Sequence, residues 1–231
     1  VTVPRPFPCA ALDGCGLNRQ AVLDLDKLPD DMLWKDGALA AGYRQLILIG
    51  HGGTSLWEAV TRSGINSLDP IDDFTLQTIQ RWMTEELPGN RHEIVYPGPQ
   101  SIPLQRLGAL AGWHHATPLM LGIDADWGTW FAYRAAVLAD THFAPTLAVD
   151  RTNPCTPCAT RPCVATCPAS AMSEAGFALQ KCLAWRQLTD STCAFTCLAR
   201  LACPVGNEHR YGADQLRHAY SVSLRQIREH V

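Results

Sequence analysis

CTPCATRPCVATCP (155–168) and CLAWRQLTDSTCAFTCLARLACP (182–204) carry eight of the ten cysteines of this 231-residue chain. The spacing reads Cys155-x2-Cys158-x4-Cys163-x3-Cys167-Pro168, then Cys182-x10-Cys193-x3-Cys197-x5-Cys203-Pro204. Close-set cysteines ending in a Cys-Pro step, twice over, are the pattern of a chain with two 4Fe–4S clusters, in which each Cys-Pro cysteine ligates the cluster of the other half. By that rule Cys155, Cys158 and Cys163 take Cys203 for one cluster, and Cys167 joins Cys182, Cys193 and Cys197 for the other. Proline after the crossing cysteine restrains the backbone there.

Two other readings compete. An even number of clustered cysteines also staples small secreted domains through disulfides. Against that, 231 residues at 47% hydrophobic content are enough to bury a core without staples. Zinc suits Cys155-x2-Cys158 paired with a second close pair, but it leaves four further thiols and both Cys-Pro steps unexplained. Cys9 and Cys15 lie far from the block and read as structural or free thiols.

Working outward, Tyr43–Gly50 (YRQLILIG) has the continuous apolar run of a fully covered central strand. His51-Gly52-Gly53 comes next, then Ser55-x-x-Glu58, a capping-box pattern that opens a helix. Asp69-Pro70 starts a second helix, with Asp as N-cap and Pro in its first position. His92–Tyr96 and Pro118–Ile123 read as strands, and Trp130–Leu138 as a buried strand. From Ala213 onward, Leu216, Tyr220, Leu224 and Ile227 share one face of an amphipathic helix. Strands and helices interleave, so the expected class is α/β with a ferredoxin-like module. The expected domains are 1–150 for the α/β body, 151–210 for the double-cluster module and 211–231 for a helix packed back on the body.

Net charge is −3, pI is near 6.2, and the arginines are scattered. A protein that neutralises a nucleic-acid backbone should show a basic face, so nucleic acid is not the expected partner. No stretch approaches the ~20 apolar residues of a membrane span, and no secretory leader is visible. The expected setting is the reducing cytoplasm.

Residues 107–140 (LGALAGWHHATPLMLGIDADWGTWFAYRAAVLAD) together with the cysteine order resemble epoxyqueuosine reductase. In that family a Gly-Trp pair, a strand, a Gly-Ser/Thr-Trp/Phe motif and a second strand precede the clusters. The stretch LILIGHGGTSLWEAV (46–60) and DPIDDFTLQTIQRW (69–82) is similar to related cobalamin-processing proteins. The resemblance runs roughly from Gly42 to Asn207. It implies a flavin-nitroreductase-like α+β sandwich that binds cobalamin, with two 4Fe–4S clusters delivering electrons to it. An external donor of flavodoxin or ferredoxin type would supply them, and the target would be a small molecule or the corrinoid itself. A non-catalytic electron-transfer or cobalamin-trafficking protein is the alternative. One departure is local: where the reductases carry Gly-Lys-Asn-Thr, this chain has His114-His115-Ala116-Thr117. The tRNA-binding helical repeat of some members is not seen, which with the pI points to a smaller target than tRNA.

Each candidate site residue also has a plainer reading. His51, Gly52 and Gly53 sit at a strand-to-helix handover, a usual place for a cofactor, and an ordinary tight turn reads the same way. Asp73 aligns with the family's proton-donating aspartate, while Asp69, Asp72 and Asp73 are also favoured at a helix start by the dipole alone. His114 and His115 suit cofactor binding or proton transfer, or a loop. Trp130 suits an apolar cofactor wall or a core. Arg134, inside an apolar strand, needs an anionic or carbonyl partner from the protein or a ligand.

Overall fold

The structure is a computed structural model that describes residues 4–29, 32, 40–149, 151–173 and 176–230. It divides the chain into two compact units, Val1–Gly112 with Phe131–Asp150, and Trp113–Trp130 with Arg151–Val231. Residues 113–130, expected within the α/β body, fall with the cysteine-rich segment, and so does the C-terminal helix.

The first unit is built on a four-stranded sheet of order β1-β2-β4-β3, with β1 at Arg19–Asp24, β2 at Gln45–Gly52, β3 at His92–Tyr96 and β4 at Phe131–Ala139. Each neighbouring pair is antiparallel. The class is therefore mixed α/β on an antiparallel sheet. The apolar run in β2 predicts a covered strand, and all eight of its residues are buried. Side chains alternate across a strand, so Ile47 and Ile49 of β2 share a face with Val22, Ala135 and Val137. That face packs on Leu12 of α1 (Ala10–Gly14), Leu56 and Val60 of α2 (Ser55–Ser63), and Ile79, Trp82 and Met83 of α3 (Pro70–Glu86). α4 spans Leu104–Leu110.

The two predicted helix starts come out differently. Asp69 is the N-cap of α3 and Pro70 its first residue. At α2 the N-cap is Thr54 rather than Ser55, and the Thr54 hydroxyl donates to Glu58 Oε1 at 2.7 Å. The acidic residue is thus used by a hydroxyl one position earlier than the sequence pattern proposes.

The second unit holds short elements: α5 (Pro162–Thr166), a hairpin of β5 (Met172–Ser173) and β6 (Gly176–Phe177), α6 (Leu179–Gln187), α7 (Leu198–Leu201) and α8 (Ala213–His230). The expected face of α8 is buried at Leu216, Leu224 and Ile227. Pro118–Ile123 is not a strand. The Thr117 hydroxyl accepts from the Leu119 N–H at 3.0 Å and donates to the Leu121 carbonyl at 2.7 Å, closing a turn that the isolated bridge His115–Ile123 clamps. Pro118 has no N–H to give a ladder, and Met120 takes a left-handed φ of 59°.

Candidate metal centre and polar sites

α5 joins Cys163 to Cys167 and α7 runs from Cys197 toward Cys203, so each short helix links two of the cysteines and leads to a Cys-Pro step. The two helices pack on each other. Cys163, Val164 and Cys167 from α5 and its end meet Cys197 and Ala199 around Leu119 and Met172. That packing sets Cys167 of the first cysteine run and Cys197 of the second in one hydrophobic cluster.

Cys155 has Cys203, Cys163 and Cys158 as its charged-form neighbours. Its thiol is pushed up first by burial, then by those three, with Arg161 pulling it down. Cys163 is likewise raised by burial and by Cys203 and Cys158, against backbone hydrogen bonds that favour its thiolate. In the other group burial raises Cys182, with Cys197, Cys167 and Cys193 adding to it and Arg186 opposing. The structure therefore brings together Cys155, Cys158, Cys163 and Cys203, and separately Cys167, Cys182, Cys193 and Cys197.

The second quartet lines a cavity of about 330 Å³ whose other walls include Leu119, Met172, Phe177, Trp185, Ala199 and Tyr220. A single tetrahedral zinc ion needs four donors about 2.3 Å from one point. Among the described residues, no group of three or more His, Cys, Asp or Glu side chains is placed to hold a metal ion. What the quartet offers is a ring of thiols about a space.

Polar atoms in that ring are unusual. Trp185 Nε1 and Thr196 Oγ1 are buried without a hydrogen-bond partner among the described residues, and both residues line the cavity. A buried donor left unpaired costs about 1–3 kcal/mol, so each orphan marks a missing acceptor. Two guanidiniums also stand in the wall. Buried Arg186 donates to the Cys193 carbonyl at 3.2 Å, the Ser223 hydroxyl at 2.9 Å and the Tyr220 carbonyl at 3.0 Å. Buried Arg200 donates to Thr129 through its hydroxyl and carbonyl, and stacks 4.4 Å from the Trp130 ring centroid. The Arg200 N–H also meets Cys197 Sγ at 3.4 Å. Burial drives the neighbouring Tyr220 hydroxyl up to about 12, so it stays protonated. Sequence reading overlooks both arginines. The available signal was an arginine inside each cysteine interval beside apolar and small residues, at CLAWR and CLAR.

The remaining candidates separate by unit. In the first, Arg134 Nε donates to His51 Nδ1 at 3.0 Å and its Nη1 lies 3.7 Å from Asp72 Oδ1. His51 is 1% exposed. Accepting at Nδ1 leaves its proton on Nε2, the neutral tautomer. Burial lifts the Asp72 carboxyl above its ordinary range, with Arg134 opposing and Asp69 and Asp73 assisting. Tyr96 is raised by burial and by Asp72, against Arg134. Asp72 thus joins this group, whereas Asp73 is half-buried one residue along α3, its N–H bonded to the Asp69 carbonyl at 3.1 Å. Gly52 is held on both sides by Asn18: its N–H donates to Oδ1 at 2.8 Å and its carbonyl accepts from Nδ2 at 3.2 Å. That N–H is taken, which removes it from an anion cradle. Gly53 turns the chain at a φ of 72°.

In the second unit His114 and His115 lie ahead of the Thr117 turn. Burial lowers the His114 pKa and His115 adds to the effect, so the imidazole is held neutral. Its ring packs on Gly122, where an added Cβ would stand 2.3 Å from Nδ1. Trp130 is fully buried against Tyr211 and Leu216, part of that unit's core.

No protein-family model matches the chain, and no curated protein does. Solved structures do. Epoxyqueuosine reductase from Streptococcus thermophilus superposes with a TM-score of 0.53 at 12% identity, covering 85% of this chain and 64% of that one. A selenomethionine-labelled epoxyqueuosine reductase gives 0.53 at 12% identity, over 90% of this chain and 68% of that one. The B12-trafficking protein CblC of C. elegans gives 0.48 at 14% identity, over 90% and 88%. The likeness to the two reductases is one of fold. This chain spans less than two thirds of the first reductase's length.

Proposed function

We propose that the protein is an iron–sulfur oxidoreductase that carries two 4Fe–4S clusters and passes electrons to a bound cobalamin, acting on a small molecule or on the corrinoid itself. The observation that carries the reading is the cavity ringed by Cys167, Cys182, Cys193 and Cys197, with two unpaired buried donors in its wall. Thiols about a space suit a multi-iron core, whose thiolates sit on different irons. Zinc, one point for four donors, suits it less. Cys155, Cys158, Cys163 and Cys203 are the candidate ligands of the second cluster.

When bound, the clusters supply one-electron transfer and the cobalamin supplies the cobalt that receives the electrons. The chain's own residues bury Cys193 and Cys203 and half-bury the other six thiols, wall the cavity with Leu119, Met172 and Phe177, and balance negative charge with Arg186 and Arg200. Cobalamin rests on the sequence resemblance, with His114, held neutral by burial, and His115 as its candidate contacts. In the first unit Asp72, with its raised pKa, is a candidate proton holder beside Asp73. Electrons would come from an external carrier of flavodoxin or ferredoxin type. Among the described residues no helix is long and apolar enough to cross a membrane.

The test is metal and cofactor analysis of anaerobically purified or reconstituted protein. About eight irons per chain are expected, with a change in the cobalt spectrum when cobalamin is added. Iron near zero with stoichiometric zinc would sink the cluster reading, and an unaltered spectrum at saturating corrinoid would sink the cobalamin reading.

A further inference from the structure

The two thiol quartets sit in unlike surroundings. Around Cys167, Cys182, Cys193 and Cys197 the wall holds two orphaned donors, Trp185 Nε1 and Thr196 Oγ1, and the buried guanidiniums of Arg186 and Arg200. Those guanidiniums bond only carbonyls, hydroxyls and ring faces; among the described residues neither has a carboxylate partner. Positive charge is therefore left over at the cavity. At the other quartet Arg161, which is exposed, is the cation that acts on the Cys155 thiol, and among the described residues none of the orphaned donors belongs to the 151–168 segment that carries Cys155, Cys158 and Cys163.

An iron–sulfur cluster gains one negative charge on reduction, and its potential follows net charge, hydrogen bonds to sulfur and solvent exposure. Donors and cations that favour the reduced form raise the potential. We propose that the cavity quartet holds the higher-potential cluster of the two. Trp185 Nε1–H and Thr196 Oγ1–H are the positioning residues that set it, by donating to the cluster's sulfur atoms. This rests on the two-cluster reading above. One electron, supplied by an external one-electron reductant, leaves the reduced cluster at Cys155, Cys158, Cys163 and Cys203. It enters the oxidised cluster at the cavity; the first is oxidised by one electron, the second reduced by one, and no proton moves.

The experiment is a redox titration monitored by electron paramagnetic resonance on the reconstituted full chain, with dithionite as reductant. Cys203→Ser, which keeps only the cavity quartet intact, identifies that cluster's signal. Wild type is expected to show two potentials, the higher belonging to that signal. Trp185→Phe and Thr196→Val are each expected to lower it by about a tenfold change in the oxidised-to-reduced ratio, 59 mV for one electron, with the other cluster unmoved. Thr196→Ser, which restores the hydroxyl, returns it to the wild-type value. Should Trp185→Phe fail to hold iron, the Thr196→Val and Thr196→Ser pair decides alone. Unchanged potentials at full iron content overturn the proposal, as does assignment of the higher potential to the other cluster. Wild type that binds no iron refutes the cluster reading itself, which is a separate outcome.

Discussion

Arg134 Nε donates to His51 Nδ1 at 3.0 Å, tying β4 to β2 through a buried imidazole. A hydrogen bond to a charged group contributes about 1.5–3 kcal/mol, and more is at stake when a buried partner is orphaned. His51→Leu is expected to lower unfolding free energy by about 2 kcal/mol in urea denaturation. A loss within experimental error would show that the pair contributes nothing.

Asp24 gives the acid dependence a definite sign. Burial works to raise its pKa, but hydrogen bonds from Gln45 and Lys27, and the Lys27 charge, hold it below the ordinary value. Gln45 Nε2 and Lys27 Nζ donate to it at 2.9 and 2.8 Å. A depressed carboxyl contributes stability that is present above its unfolded pKa and lost as pH falls through the folded one. Wild type should therefore lose stability below about pH 4 more steeply than Asp24→Asn. Parallel curves of midpoint against pH for the two proteins would contradict this.

The crosswise assignment of thiols has a combinatorial test. Cys203→Ser and Cys167→Ser are each expected to reduce iron from about eight to about four per chain. Adding Cys155→Ser to Cys203→Ser should remove no further cluster, because the proposed assignment gives both to one. Adding Cys182→Ser should remove the remaining four. Counts in the opposite sense would mean that each half closes on itself.

Gly128 and Gly206 press backbone on backbone. A Cβ on Gly128 would lie 2.0 Å from the Val205 carbonyl oxygen, and one on Gly206 would lie 2.5 Å from the Trp127 carbonyl carbon. Both have positive φ, 58° and 65°. This contact fixes the chain just after Cys203-Pro204. Gly128→Ala is expected to cost about 1–3 kcal/mol through overpacking and to weaken iron loading at the quartet that uses Cys203. Iron retention and stability equal to wild type would show that the contact is slack.

Features legible from the residues alone are local. β2, the start of α3 and the apolar face of α8 all come from spacing within a short window. The turn at 117–123 escapes such a reading because one hydroxyl, Thr117, outcompetes a strand ladder. Thr54 takes the partner that the pattern gives to Ser55. Asp72 and Asp73 are indistinguishable in sequence, and only the α3 phase against β4 puts one beside Arg134. Arg186 and Arg200 look like ordinary surface residues until tertiary packing buries them. Membership of 113–130 in the cysteine-rich unit has no local signature at all.

That last feature bears on how the protein is made. Arg200 finds partners on Thr129 and Trp130, which the ribosome delivers before β4, while the eight clustered cysteines emerge only after it. Residues 151–231 alone cannot complete the thiol-bearing segment, which must have an earlier stretch laid into it. A fragment cut at 151 would leave Arg200 with the Tyr211 ring and the Tyr220 hydroxyl but without Thr129 and Trp130. In the two-cluster reading proposed above, iron loading is a late event in biogenesis, timed by chain topology as much as by iron supply.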